Sequence, residues 1–253
     1  MAKQKKEKVQ VLEQKAILQR QKWNYHSTEP IQLKKLLFEI GVVALFRPMS
    51  LQFSGMAIRI RKGGETFRFM MINSDMPVGR QNFTICHELY HLYVQENFET
   101  RICKVGSFDK KDPEEYNADT FAVHFLLPAE ALLTRIPAQE LDNRSISLST
   151  ILRIEHLFEC SREFLLIRLK ELNLITDQER EQFQKSVKST AQRYGFPPYL
   201  YTKSAAESVV GDYASLANDL FDSELVSENH YYSLMEDLGF DLSEIDLQED
   251  EAE

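Results

Sequence analysis

The feature that most restricts this chain is the run RQNFTICHELYHLYVQ, residues 80–95. His87 and His91 stand four apart in it, and Glu88 follows the first histidine. Four residues are close to one helical turn, so on a helix both imidazoles lie on one face and reach one metal ion. Glu88 lies one step round, poorly placed as a third ligand but well placed to hold a water on that metal. Zinc lowers the pKa of such a water toward neutrality, and a carboxylate beside it takes the proton as the water attacks a carbonyl. Ile85, Leu89 and Leu92 form an apolar stripe, which predicts that the opposite side of the helix packs into a core. The same letters also suit an ordinary buried helix whose histidines are satisfied by polar neighbours. The spacing alone does not separate these readings.

A catalytic zinc takes three protein ligands and keeps a fourth position open. The third ligand is therefore sought downstream, in DPEEYNADTFAVHFLLP (112–128). This stretch predicts a second helix from about Pro113 to Leu127, stopped by Pro128. Glu115 and Asp119 share one face of it. Glu115 can complete the metal site, and Asp119 can accept a hydrogen bond from the ring N–H of a ligand histidine, His87 being the expected one. Glu114, next door, is the alternative third ligand. Acidic residues in a first helical turn are also common for electrostatic reasons alone.

The rest of the chain supplies the frame. Residues 5–23 predict a helix with Val9, Leu12, Ala16 and Trp23 on one face. PIQLKKLLFEIGV (30–42) predicts the next, capped by Ser27 or Thr28 with Pro30 in its first turn. MAIRIRKGGETFRFMMI (56–72) reads as two strands around Gly63-Gly64, a hairpin. The alternation of Ile58 and Ile60 with Arg59 and Arg61 suits a sheet with one wet face. NSDMPVGRQN (73–82) reads as a loop leading to the histidine helix, and 96–113 as a polar loop. Residues 146–175 predict two amphipathic helices with a break near Cys160-Ser161. Further helical segments follow around GDYASLANDLF and NHYYSLMEDLGF, separated from them by the linker YGFPPYLY.

Composition narrows the class. A chain of 253 residues, 43% hydrophobic and 27% charged, can bury a sizeable core. No apolar run is long enough to span a bilayer. The charged opening MAKQKKEKVQVLEQK lacks the apolar stretch of a secretory signal, and Cys86, Cys103 and Cys160 follow no disulfide spacing. A cytoplasmic protein without a membrane association is expected. The net charge of −9 argues against direct nucleic-acid binding. A Lys-rich beginning and the acidic tail DLSEIDLQEDEAE read as a solvated helix and a frayed end.

With these residues in place a resemblance emerges. RQNFTICHELYHL followed by EYNADTFAVHFLLP is similar to the ImmA/IrrE family of metallopeptidases. The matching positions are Arg80, Phe83, Thr84, His87, Glu88 and His91, then Glu115, Ala118, Asp119, Phe121, Ala122, Leu126, Leu127 and Pro128. The preceding hairpin with MMIN and the following FECSREFLLIRLKELNLI also fit, so the resemblance covers roughly 30–175. Two positions depart: Tyr90 stands where the family usually has Gly, and His124 where it often has Glu. Tyr90 is expected to pack against the sheet or to donate to an oxyanion.

The resemblance implies a gluzincin-like, zinc-dependent endopeptidase with one Zn2+ per chain. It favours Glu115 over Glu114 as the third ligand, Asp119 as the residue supporting a histidine, and Glu88 as the catalytic base. It implies an α+β, predominantly helical fold: a zincin-like catalytic domain with a small antiparallel sheet and a helical C-terminal region. The expected segments are an N-terminal helix over 1–26, the metallopeptidase domain over 27–135, a helix-turn-helix-like segment over 136–180 and a C-terminal helical region with the acidic tail over 181–253. The implied substrate is a helix-turn-helix repressor or antitoxin, cleaved to derepress stress or mobile-element genes. The competing reading is a module that grips such a regulator without cutting it, its metal serving structure only.

Overall fold

The computed structural model describes residues 6–50, 52–96, 98, 100–104, 112–204, 208–236 and 238. The acidic tail from 239 onward, most of the 105–113 loop and the side chain of Cys103 lie outside the described residues.

The chain opens with helix α1 (Val9–Lys22). Leu12 and Ala16 are buried as their spacing requires, while Val9 is 40% exposed and leaves that stripe. Trp23 ends the helix and meets Tyr93 and Phe125 edge-on. Helix α2 (Leu33–Glu39) starts three residues later than Pro30 predicts, with Gln32 at its N-cap and no side-chain cap. The cause is Arg20. Its buried guanidinium takes the carbonyls of His26, Glu29 and Phe125, which holds the 24–29 turn in a non-helical shape.

Strand β1 (Val42–Arg47) follows, then β2 (Phe53–Lys62) and β3 (Glu65–Asn73), joined by the Gly63-Gly64 turn where both φ angles are positive. Next come helix α3 (Val78–Tyr93), strand β4 (Thr100–Lys104) and helix α4 (Pro113–Leu126). β4 falls where the sequence predicts only loop. It adds to the outer edge of β2 through backbone pairing, for which a polar composition is no obstacle. The α+β, predominantly helical architecture is the one expected, and its sheet is mixed. β1 and β3 pair in parallel, and the other pairings are antiparallel. β1, second from the edge and covered by helices, reads as a continuous apolar run, the usual mark of a buried strand.

The alternation in β2 holds, but its faces are reversed. Gly55 and Ala57 are buried and Arg59 reaches the end of α3, whereas Ile60 is 53% exposed. α3 lies against this face, and α4 packs on α3 and α1.

Short helices α5 (Ala129–Arg135) and α6 (Ala138–Asp142) lead to α7 (Leu148–Phe158) and α8 (Arg162–Glu171), capped by Ser147 and Ser161. Of the three basic residues a DNA-reading α8 would present, two are buried: Arg162 pairs with Glu155, and Arg168 bonds Leu127 O and His124. Helices α9 (Asp177–Phe183) and α10 (Val187–Arg193) follow. Then YGFPPYLY, expected as a linker, forms a 3-10 turn at Pro198–Tyr201 that docks against the N-terminal end of α3. Strand β5 (Ser208–Val210) joins the sheet beside β1, giving the order β4-β2-β3-β1-β5. Helices α11 (Tyr213–Asp222) and α12 (Glu228–Glu236) pack on each other.

Candidate metal centre

α3 places His87 and His91 on the side facing α4, with Ile85, Cys86, Leu89 and Leu92 in the core behind them. Burial pushes the Cys86 thiol far above its usual pKa, so it acts as a small apolar core group. α4 starts at Asp112, whose side chain accepts from Glu114 N, with Pro113 in the first turn. That cap fixes where Glu115 emerges.

The two Nε2 atoms of His87 and His91 lie 3.1 Å apart. Glu115 Oε2 lies 3.2 Å from His87 Nε2, and its Oε1 lies 3.7 Å from His91 Nε2. One donor atom from each of the three residues falls within 4.8 Å of the others. The remaining ring nitrogens are turned away. His87 Nδ1 meets Asp119 Oδ1 at 2.8 Å, and His91 Nδ1 meets Gln95 Oε1 at 2.5 Å. An acceptor on each Nδ1 favours the tautomer with Nε2 unprotonated, and both Nε2 atoms face one space with a carboxylate.

Such convergence suits a cation. Zn–N bonds of about 2.0–2.1 Å at tetrahedral angles put two nitrogens roughly 3.4 Å apart, close to the observed spacing. Two imidazoles and a carboxylate are also a donor set that zinc accepts. Glu115 keeps 17% of its side chain exposed while His91 has none, so the cluster opens on the carboxylate side.

Glu88 is completely buried one step round α3. It lies against β2 at Gly55, where a Cβ would come 3.1 Å from Glu88 Oε1 and 2.6 Å from Thr84 Cγ2. Only glycine lets the strand pass this close. Phe83 sits between Phe164 of α8 and His87, with centroids 4.8 and 6.4 Å away. Phe98 stacks on His91 at 5.3 Å.

Glu114 turns elsewhere. Its Oε2 accepts a hydrogen bond from Tyr90 OH at 3.0 Å. The Tyr90 ring rests against Phe121 of α4. Burial first, and Glu114 second, push the Tyr90 phenol well above its usual pKa and keep it neutral. Its proton is directed at Glu114. His124, the other departure, bonds Arg168 and Glu13 in the packing of α4 on α8 and α1.

The profile of the IrrE N-terminal-like domain, a peptidase family (Peptidase_M78), matches residues 24–170. The chain belongs to this family. Membership in the IrrE-like peptidases indicates a metal-dependent peptidase and implies a protein substrate. No curated protein matches the chain. The matched span contains α3 and α4 entire. It also contains Gln95, Gly55 and Phe98, none of which the spacing argument singles out. Gln95 carried a usable signal, since it stands one helical turn beyond His91. Gly55 and Phe98 carried none, because their roles arise from contacts between segments distant in sequence. Among the described residues no helix is long and apolar enough to cross a membrane.

Proposed function

We propose that the chain is a zinc-dependent endopeptidase, with His87, His91 and Glu115 holding one zinc ion and Glu88 acting as the catalytic base. The observation carrying this reading is the convergence of three donor atoms within 4.8 Å beside a buried Glu88. A zinc ion bound there supplies Lewis acidity for amide hydrolysis. Asp119 and Gln95 hold the Nδ1 protons and keep both Nε2 atoms available. The Glu88 carboxylate takes a proton from the attacking water and returns it to the departing amine nitrogen. Gly55 lets the backbone of β2 run alongside that carboxylate, and Phe83 shields His87 from solvent.

The proposed substrate is a cytoplasmic helix-turn-helix repressor or antitoxin, whose cleavage derepresses stress or mobile-element genes. The support for it is the family resemblance together with the burial of Arg162 and Arg168, which takes basic groups off α8 and favours a protein partner over DNA. In this reading residues 27–135 form the catalytic unit, flanked by 1–26, 136–180 and 181–253.

The test pairs the purified chain, loaded with one equivalent of zinc, with a small helix-turn-helix regulator encoded beside it. Fragments are expected with the unaltered chain. Glu88→Gln should hold the same zinc and give none. Equal cleavage by Glu88→Gln rejects the mechanism, and a stable complex without fragments under any metal condition rejects the peptidase reading.

A further inference from the structure

His91 has an amide behind it. Its Nδ1 meets the side-chain oxygen of Gln95, a buried residue just beyond the last turn of α3. An isolated glutamine side chain has several rotamers, so something must hold this one. The Gln95 backbone is itself held. Arg59 of β2 lies under the end of α3 and bonds three carbonyls there. The distances are 3.2 Å to Leu92 O, 3.4 Å to Gln95 O, and 3.1 and 2.8 Å to Phe98 O.

Helix ends leave carbonyls without intrahelical partners, and a cation there also meets the negative end of the helix dipole. One guanidinium satisfies both needs. The same contact fixes Phe98, whose ring stacks on His91 with 21° between the planes, while the guanidinium carbon sits 5.6 Å from that ring. Arg59 thus sets the 92–98 turn, and the turn brings an amide oxygen and an aromatic face to the same imidazole.

We propose that Gln95 is a positioning residue for His91, itself held in place by Arg59. Gln95 Oε1 accepts the Nδ1 proton and leaves Nε2 as the donor toward the metal. The proposal rests on the zinc reading above. The two histidines then differ in kind. His87 is backed by an anionic carboxylate and His91 by a neutral amide, so the second ligand is oriented without adding charge to a buried site.

The experiment measures zinc affinity by competition with a chromophoric chelator, alongside the melting temperature of the metal-free protein. Gln95→Leu keeps the volume and removes the acceptor, and its zinc affinity should fall about 10- to 100-fold, while a modest fall in the metal-free melting temperature reports separately the cost of leaving a buried N–H unpaired. Gln95→Glu restores an acceptor and should bind zinc at least as tightly as the unaltered chain. Arg59→Met should weaken zinc binding, and combining it with Gln95→Leu should cost no more than Gln95→Leu alone, because both act on one contact. Unaltered affinity in Gln95→Leu overturns the proposal, as do strictly additive losses in the double variant. If Gln95→Leu does not fold, Gln95→Met replaces it, and equal affinity in Gln95→Met and Gln95→Glu overturns the proposal. A wild-type chain that takes up no zinc overturns the metal reading itself. Zinc uptake by wild type with Gln95→Leu unaffected removes only the role of Gln95.

Discussion

Asp119 Oδ1 lies 2.8 Å from His87 Nδ1, one turn along α4 from Glu115, whose Oε2 lies 3.2 Å from Nε2 of the same ring. One helix thus addresses both nitrogens of one histidine. A carboxylate on Nδ1–H fixes the tautomer and raises the basicity of the other nitrogen. Asp119→Ala should therefore weaken zinc binding by about 10- to 100-fold while leaving three ligands in place. Asp119→Asn keeps an acceptor oxygen and should lose less. Chelator competition on the three proteins measures both effects, and an Asp119→Ala affinity equal to wild type would remove Asp119 from the site.

Adjacent residues of α4 are divided between two tasks. Glu115 faces the histidines, and Glu114 accepts from Tyr90 OH. Zinc content after exhaustive dialysis should drop to background in Glu115→Ala and stay at one per chain in Glu114→Gln. Tyr90→Phe removes only the hydrogen bond, and a half-buried bond to a charged acceptor contributes about 1–2 kcal/mol. A lower urea midpoint with unchanged zinc is expected. The opposite zinc result, lost in Glu114→Gln and kept in Glu115→Ala, would exchange the two assignments.

Gly55 brings β2 against α3 beside Glu88. An added methyl would meet Thr84 Cγ2 at 2.6 Å and Glu88 Oε1 at 3.1 Å, so strand or helix must shift. Gly55→Ala should cost roughly 1–3 kcal/mol and lower peptidase activity by more than its loss of stability explains, since Glu88 is among the displaced groups. Replacing Thr84 by Ser removes the closer of the two contacts. Gly55→Ala/Thr84→Ser should then recover stability relative to Gly55→Ala, and no recovery would locate the strain elsewhere.

The helix period brings most of the candidate site into view from letters alone. His87, His91, Glu115 and Asp119 occupy two helices whose spacings put them on facing sides, and Pro128 marks where α4 must stop. What stayed hidden depends on contacts the period does not encode. Arg59 reads as a wet-face residue beside Ile58 and Ile60, yet it turns inward because the end of α3 offers carbonyls that only a long cation reaches. β4 is polar because an edge strand is held by its backbone, and alternation is a weak guide there. α2 starts later than Pro30 predicts because Arg20, far back in α1, claims the carbonyls of the preceding turn. Tyr90 fits no spacing rule, since its partner is set by how α4 packs on α3.

His124 predicts how the fold responds to acid. Burial foremost, with help from Arg168, lowers its pKa from 6.5 to about 4, and the partly exposed Glu13 opposes that shift. The groups facing it are Arg168 on α8, whose Nη2 lies 3.1 Å from Nδ1, and Glu13 on α1, whose Oε1 lies 3.2 Å from the same Nδ1. Arg168 also pairs with Glu171. Burial and the Arg168 charge favour the neutral ring in the folded state, against the pull of Glu13. Between pH 6.5 and 4 the unfolded chain binds a proton here that the folded chain refuses. Stability from this group is therefore whole above pH 6.5 and is lost as pH falls through about 4, by on the order of 2–3 kcal/mol. His124→Gln offers Arg168 an acceptor that does not titrate. Urea unfolding of the metal-free proteins at pH 7.5 and 4.5 should show the smaller drop in His124→Gln. Equal drops in the two proteins would mean that folding does not lower the pKa of this ring.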